Sequence, residues 1–276
     1  MSASNDCATF ETLARAIDPA SRLLRTWELK GGVSAQVTAF ELELPDGQRE
    51  RLVARRHGAV DLRRNPRIAA DELRLLEVLR AAGVAAPAPR YLDGDAEIFG
   101  TPCLVVEYVE GDHGPRSADE VDQVATALAE IHRVSIEDLS FLRECNTLSQ
   151  PLPLRNRSVL LHGDFWPGIT LWRDGRLVAV IDWENAAIGD PLADVGNARL
   201  ELLWALGAEA MDEFTRRYES AAPTVDLADL PHWDLRADRR LTPRIPEWGL
   251  DEVTQRSMRE KREAFVARAL ESLETS

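Results

Sequence analysis

Lysine is almost missing from this chain: Lys30 and Lys261 are the only two in 276 residues, so nearly all positive charge is arginine. Any task that usually falls to a compact ammonium must here be done by a planar guanidinium fork. Cysteine is scarce as well. Cys7, Cys103 and Cys145 are odd in number, far apart and without C-x-x-C spacing, which excludes a disulfide framework or a cysteine-ligated zinc site and leaves them as small buried hydrophobes. Basic excess is lacking: 33 basic against 47 acidic side chains give a net charge of −14, which repels a polyanion, so no nucleic acid partner is expected. There is no run of eighteen apolar residues, and the opening MSASNDCATFETLARAI has no basic start followed by an apolar core. No membrane partner is expected, and the expectation is a soluble cytoplasmic protein. Internal repeats and low-complexity tracts are missing too.

With 45% apolar residues the chain can bury a sizeable core in one large domain or two lobes. Phe10, Leu13, Ala14 and Ile17 pattern a short N-terminal helix. Residues 27–56 have strand character around two turns, Gly31-Gly32 and Pro45-Asp46-Gly47. From 69 to 82, Leu73, Leu76, Leu79 and Ala82 recur at three-residue steps, predicting a helix stopped by Gly83 and the prolines at 87 and 89. "CLVVEYVEG" (103–111) is a short β-rich run, after which the pattern turns helical, placing a boundary near Gly111. Ser117 and Glu120 form an S-x-x-E capping box ahead of Val121, Val124, Leu128 and Ile131. "TLWRDGRLVAVIDW" predicts a hairpin turning at Asp174-Gly175. Asp190 is expected to cap a helix with Pro191 in its first position, and the chain from Glu209 on reads as helices broken at "LADLPHW" and "LTPRIPEWG".

The chemistry concentrates in His162-Gly163-Asp164, position 169, and Asp182 at a strand end. Phosphoryl transfer needs one carboxylate to orient and accept the proton of the attacking hydroxyl, a second to hold Mg²⁺ against the phosphates, and commonly a side-chain amide on that metal. In the protein-kinase arrangement the amide follows the base by five positions. Here that position is Ile169, a branched hydrocarbon that neither donates to Asp164 nor ligates a cation.

"LHGDFWPG" (161–168), "VIDWENAAIGDPLADV" (180–195), the "LVVEYVEG" segment and "LPHWDL" together resemble the aminoglycoside phosphotransferase and choline kinase-like family, small-molecule kinases with a protein-kinase-like fold. The resemblance covers nearly the whole chain. It implies an α+β, two-lobed fold, with a small antiparallel-sheet lobe carrying one main helix (1–110, nucleotide-binding) and a larger, mostly helical lobe with the catalytic loop and acceptor site (111–276). By the same resemblance Asp164 is the candidate base and Asp182 the candidate metal ligand. The turn containing Gly31, Gly32 and Ser34 stands where a loop covers the nucleotide phosphates, and Glu107 and Val109 fall in the segment that contacts the nucleotide. "LVARR" (52–56) puts Arg55 where kinases place a phosphate-binding lysine, with Glu72 as its partner. Asn185 lies where the family frequently has another acid. Glu184, two residues after Asp182 and on its face if the segment is extended, is a second candidate for the metal, beside the alternative of a solvated surface charge. The implied cofactors are ATP or GTP and Mg²⁺, and the implied acceptor is a hydroxyl of a small molecule, with an acidic substrate lobe favouring a cationic one such as an aminated sugar.

Other residues have structural readings. His162 is expected to tether the catalytic loop, and Asp190 and Asp194 to cap a helix or anchor a loop. The tryptophans are expected mostly in the core, with Trp233 and Trp248 in the acceptor region of relatives. Arg63, Arg64 and Arg67 form a solvated face. A kinase-fold binding protein with weak or no phosphotransfer is the alternative function, supported by Ile169. A metal-dependent hydrolase built on "HGD" is excluded because no further His/Asp cluster completes a metal site.

Overall fold

The structure is a computed structural model describing residues 3–29, 35–115, 117–145 and 155–275. It divides into two compact units, residues 1–110 and 111–276. The turn at Gly31, Gly32 and Ser34 lies outside the described residues.

The first unit opens with α1 (Ala3–Ile17), followed by strands β1 (Arg22–Glu28), β2 (Ala35–Glu43) and β3 (Arg49–His57), a short α2 (Ala59–Arg64), α3 (Ile68–Ala81), β4 (Pro89–Asp93) and β5 (Cys103–Glu107). The described strands form one antiparallel sheet in the order β1-β2-β3-β5-β4. Side chains alternate across a strand. Phe40, Leu42, Leu52, Ala54, Cys103 and Val105 therefore share one face and pack with Phe10, Leu13 and Ala14 of α1. Each such fully buried Leu or Phe contributes about 1.5–3 kcal/mol. Arg55, next to Ala54, points to the opposite face and meets α3 there.

Helix α3 has close to the predicted extent, and the predicted face holds at Leu76 and Leu79 but not at Leu73 and Ala82. Leu73 is only partly buried and Ala82 is exposed, whereas Ile68, Ala69, Glu72, Leu75, Leu76 and Leu79 are buried. A pure three-residue step drifts around a 3.6-residue helix, and the alternating three- and four-residue steps keep one face. Cys7 is exposed, unlike the buried Cys103. The helix α2 was not anticipated; Arg63, Arg64 and Arg67 are solvent-exposed, as expected.

The second unit contains β6 (Asp112–His113), α4 (Ala118–His132), β7 (Arg143–Cys145), β8 (Val159–Leu161), the hairpin β9 (Thr170–Arg173) and β10 (Arg176–Val180), β11 (Ala187–Gly189), and helices α5 (Leu192–Leu206), α6 (Ala208–Ala221), α7 (Leu230–Leu241) and α8 (Glu252–Glu274). Two small sheets, β10-β9-β6 and β7-β11-β8, border the helices. The hairpin turns at Asp174 and Gly175, both at positive φ, and the Ser117–Glu120 capping box starts α4, whose Val121, Val124, Leu128 and Ile131 are fully buried. The segment read as a loop at "LADLPHW" instead starts α7 at Leu230, with Pro231 in the first turn where its missing N–H costs nothing. Trp166 is 39% exposed, against the core placement expected of it, while Trp172, Trp183, Trp204 and Trp233 are buried.

Helix α5 is buried on nearly all sides, packing against α6, α7 and α8. Gly196 lets α7 approach: a Cβ there would lie 2.8 Å from the backbone of Trp233. Gly196→Ala is expected to lose about 1–3 kcal/mol, because backbone cannot yield as a flexible side chain does and the clash outweighs the roughly 1 kcal/mol helix-propensity gain. Urea denaturation measures this, and a stabilised variant would refute the close α5–α7 contact.

Candidate functional site

Strand β8 runs into the His162–Asp164 loop, and the loop is held by one buried carboxylate. Asp194, in the first turn of α5, accepts from the backbone N–H of His162 at 2.7 Å and of Gly163 at 2.9 Å. His132 of α4 lies 3.4 Å from the same carboxylate. Burial pushes Asp194 up, but the hydrogen bond and charge of His132 and the backbone hydrogen bond from His162 outweigh it and hold the acid below its ordinary range. Gly163 sits at φ +80°, and a Cβ there would overlap the Asn185 carbonyl. The glycine is thus required twice over, by conformation and by space.

His162 is the expected tether. Its Nδ1 faces the Asp164 N–H at 3.4 Å, so the proton sits on Nε2, which donates to the Ile181 carbonyl at 2.9 Å. Ile181 N–H in turn donates to the Ile169 carbonyl at 2.9 Å. The loop bearing Asp164 and the strand end bearing Asp182 are therefore locked together through Ile181. Ile169 takes part with its backbone, while its side chain is 2% exposed and packs in the core. Asp182 adopts a left-handed conformation (φ 65°, ψ 54°), uncommon for a residue with a Cβ. A 3₁₀ turn, Trp183–Asn185, follows directly. The segment is not extended, so the strand alternation invoked for Glu184 does not apply, and its direction is set by that turn instead. Among the described residues no group of three or more His, Cys, Asp and Glu side chains is arranged to hold a metal.

Three polar residues of α5 were not picked out as a set from sequence. Asp194, Asn197 and Glu201 lie at i, i+3 and i+7, one helical face, and that face meets the loop. Asn197 donates its amide to the Phe165 carbonyl at 2.8 Å and accepts from Arg240 Nη1 at 3.0 Å. Arg240, on α7, places Nη2 2.5 Å from Asp164 Oδ1. Glu201 is half-buried beside this pair; burial and then the Asp164 charge push its carboxyl up to about 8, against the pull of Arg240. The sequence trace of this set is three polar residues at helical spacing in a stretch whose one other charged residue is Arg199. Asp190 accepts from the Leu192 N–H at 2.9 Å as the expected cap, with the helix starting one residue later than read.

In the first unit Arg55 and Glu72 come together, Nη1 to Oε1 at 3.1 Å, both buried, and His57 shares the carboxylate at 3.1 Å. Arg55 and His57 are two apart on β3 and so face α3 together. Glu107 is exposed at the end of β5, its carboxylate accepting from the Ala88 N–H at 3.2 Å, and Val109 follows partly buried.

This architecture recurs in a thermostable mutant of aminoglycoside phosphotransferase APH(4)-Ia, solved in ternary complex with ADP and hygromycin B. The two chains align over 95% of this one and 98% of that one, with a TM-score of 0.60 at 16% identity, which makes the fold protein-kinase-like. Residues 28–146 and 142–230 match the model of the phosphotransferase enzyme family, and the chain belongs to that family. It is 24% identical over 201 residues to acyl-CoA dehydrogenase family member 11 of Homo sapiens, covering 56% of this chain and 26% of that protein. To hygromycin-B 4-O-kinase of Escherichia coli it is 33% identical over 96 residues, covering 35% of this chain and 24% of that protein. The chain spans about a quarter or less of the length of the curated relatives it matches.

The raised Glu201 carboxyl has a stability consequence. The folded chain keeps that proton up to about pH 8 while an unfolded one releases it near 4.5, so folded stability falls as pH rises through this window. Glu201→Gln, which cannot ionise, is expected nearly to match the parent at pH 4.5 and to gain on the order of 4 kcal/mol by pH 8. Melting temperatures across that range measure it, and a pH-independent difference would contradict the assignment.

Proposed function

We propose that the chain transfers a phosphoryl group from a nucleoside triphosphate, ATP or GTP, to a hydroxyl of a small molecule. The observation carrying this is the His162–Ile181–Ile169 lock, which holds the Asp164 loop and the Asp182 strand end as one piece. Membership of the phosphotransferase family supports it, as does the likeness to a kinase solved with ADP and an aminoglycoside.

In this reading Asp164 orients the acceptor hydroxyl and takes its proton as attack begins. Asp182, with Glu184 as second candidate, is the proposed metal ligand. Mg²⁺ fits a site of this kind: it keeps several waters and is commonly held by one or two carboxylates plus substrate phosphates, so a large protein cage is not required. When bound, it would neutralise charge on the phosphates. Arg55, held by Glu72, is the proposed phosphate-side cation, its fork suited to a phosphate as well as a carboxylate. Gly31, Gly32 and Ser34 are proposed to cover the phosphates, and Glu107 and Val109 to contact the nucleotide.

A second reading, a kinase-fold binding protein with slow transfer, is favoured by one observation. Ile169 is apolar and buried where the kinase pattern has a metal-binding amide.

Asp164→Asn is expected to abolish phosphotransfer while leaving nucleotide affinity nearly unchanged, whereas Asp182→Ala weakens Mg²⁺-dependent nucleotide binding. Turnover assays and titration with and without Mg²⁺ separate the two, and full activity in Asp164→Asn would remove that residue from the mechanism. Ile169→Asn is expected to raise turnover and lower the Mg²⁺ needed for half-maximal rate, at a stability cost of roughly 1–3 kcal/mol for burying an amide. A fast parent with Mg²⁺ dependence unaltered by the substitution would show that position 169 plays no part in metal binding.

A further inference from the structure

Helix α7 sorts its charges. Its acids are engaged by other helices: Asp234 is held by Arg199 with bonds of 3.0 Å from both Nε and Nη2, and Asp238 by Arg262 at 2.6 and 2.9 Å. Its arginines at 236 and 240 lie one turn apart on one face, a like-charge pairing that costs stability on a helix. Arg240 reaches the Asp164 loop, as described above. Arg236 extends over the Trp233 ring in a cation–π contact, with its guanidinium carbon 5.2 Å from the ring centroid and Nη2 3.4 Å from Cys145 Sγ. Arg143 of β7, two residues before Cys145, donates to the Asn185 carbonyl at 3.2 Å. Arg240 thus touches the candidate base, and Arg236 and Arg143 lie near enough for Arg236 to feel both of the other guanidiniums. Burial, with repulsion from Arg240 and Arg143, pulls the Arg236 guanidinium below its ordinary range despite Cys145 and Asp194 nearby. Of the other carboxyls here, Glu201 keeps its proton at neutral pH and cancels little of the positive charge, while Asp194 is taken up by the His162 and Gly163 N–H groups.

A polycationic acceptor is poorly matched to this wall. Moreover, the Asp164 oxygen bonded to Arg240 is engaged by a cation when it should be accepting a proton. We propose that the acceptor carries an anionic group, a carboxylate or a phosphate, which takes Arg240 from Asp164 on binding, with Arg236 and Arg143 adding attraction. This deepens the phosphotransfer reading and rests on it for the word acceptor. The partner exchange is charge-balanced: Arg240 passes from one anion to another, and Asp164 is left ionised toward the hydroxyl. Specificity and base activation then share one residue. An uncharged or cationic compound leaves the Arg240–Asp164 pair closed.

The test uses the full chain in two measurements. First, acetate and inorganic phosphate are titrated at low ionic strength and followed by NMR, the two probes separating a carboxylate from a phosphate preference. Saturable binding is expected, weakened at least tenfold in Arg240→Gln and several-fold in Arg236→Gln, which does not touch Asp164 and controls for damage to the loop. It is expected to tighten in Asp164→Asn, because the competing carboxylate is gone. Failure of both anions to bind, or binding indifferent to Arg240→Gln in a protein that melts like the parent, overturns the proposal. Second, nucleotide consumption is followed with gluconate, glucose 6-phosphate, glucose and glucosamine, which share a scaffold and differ in charge. Preference for glucosamine over both anions also overturns it. Arg240-dependent anion binding with no turnover of any compound upholds the anion site and counts against the phosphotransfer reading instead.

Discussion

One buried carboxylate organises the second unit. Asp194 accepts two consecutive backbone N–H groups at the point where β8 becomes the His162–Asp164 loop, and those donors would otherwise be orphaned in the core. A carboxylate buried this deeply is costly alone, and it persists because hydrogen bonds and the nearby His132 compensate. The candidate acidic residues of this unit hang from this attachment. The loop it fixes carries Asp164 directly and, through His162 and Ile181, holds the strand end that carries Asp182.

The same helix that supplies Asp194 supplies two further turns of control. Asn197 holds the Phe165 carbonyl and Arg240 together, and Glu201 lies behind the Arg240–Asp164 pair. Helix α5 is therefore a buried rod whose Asp194, Asn197 and Glu201 form the stripe where the loop docks, with Arg199 turned to Asp234 of α7. Gly196, between Asp194 and Asn197, allows α7 near enough to deliver Arg240. Stability and candidate chemistry are coupled here: the small residue that permits packing also sets what stands beside the base.

Scarcity of lysine becomes intelligible against this background. The buried position on β3 and the wall beside Asp164 are both arginine. Arg55 pairs with Glu72, which also meets His57, while Arg240 spans Asn197 and Asp164. A single ammonium lacks that fixed fork. Ile169 follows a related logic, since its backbone joins the loop to Ile181 and its side chain fills the core, so the position serves packing in place of ligation.

Local patterns read from the sequence were the ones that depend on neighbours along the chain. The capping box at Ser117, the Asp174-Gly175 hairpin and, shifted by one residue, the helix start after Asp190 all follow from residue chemistry within a few positions. The Arg55–Glu72 pairing was legible because strand alternation and the following helix leave few partners. Short-range rules failed where geometry changes within a residue or two: the left-handed Asp182 and the 3₁₀ turn after it ended the extended run on which the placement of Glu184 depended. They failed too at Trp166 and Leu73, where exposure is decided by what packs opposite. Arg240 is the clearest case of what only the tertiary structure decides. It lies 76 residues from Asp164, and nothing in either segment names the other. Their pairing exists because α5 and α7 pack closely at a glycine, a contact that the sequence permits and only the assembled core selects.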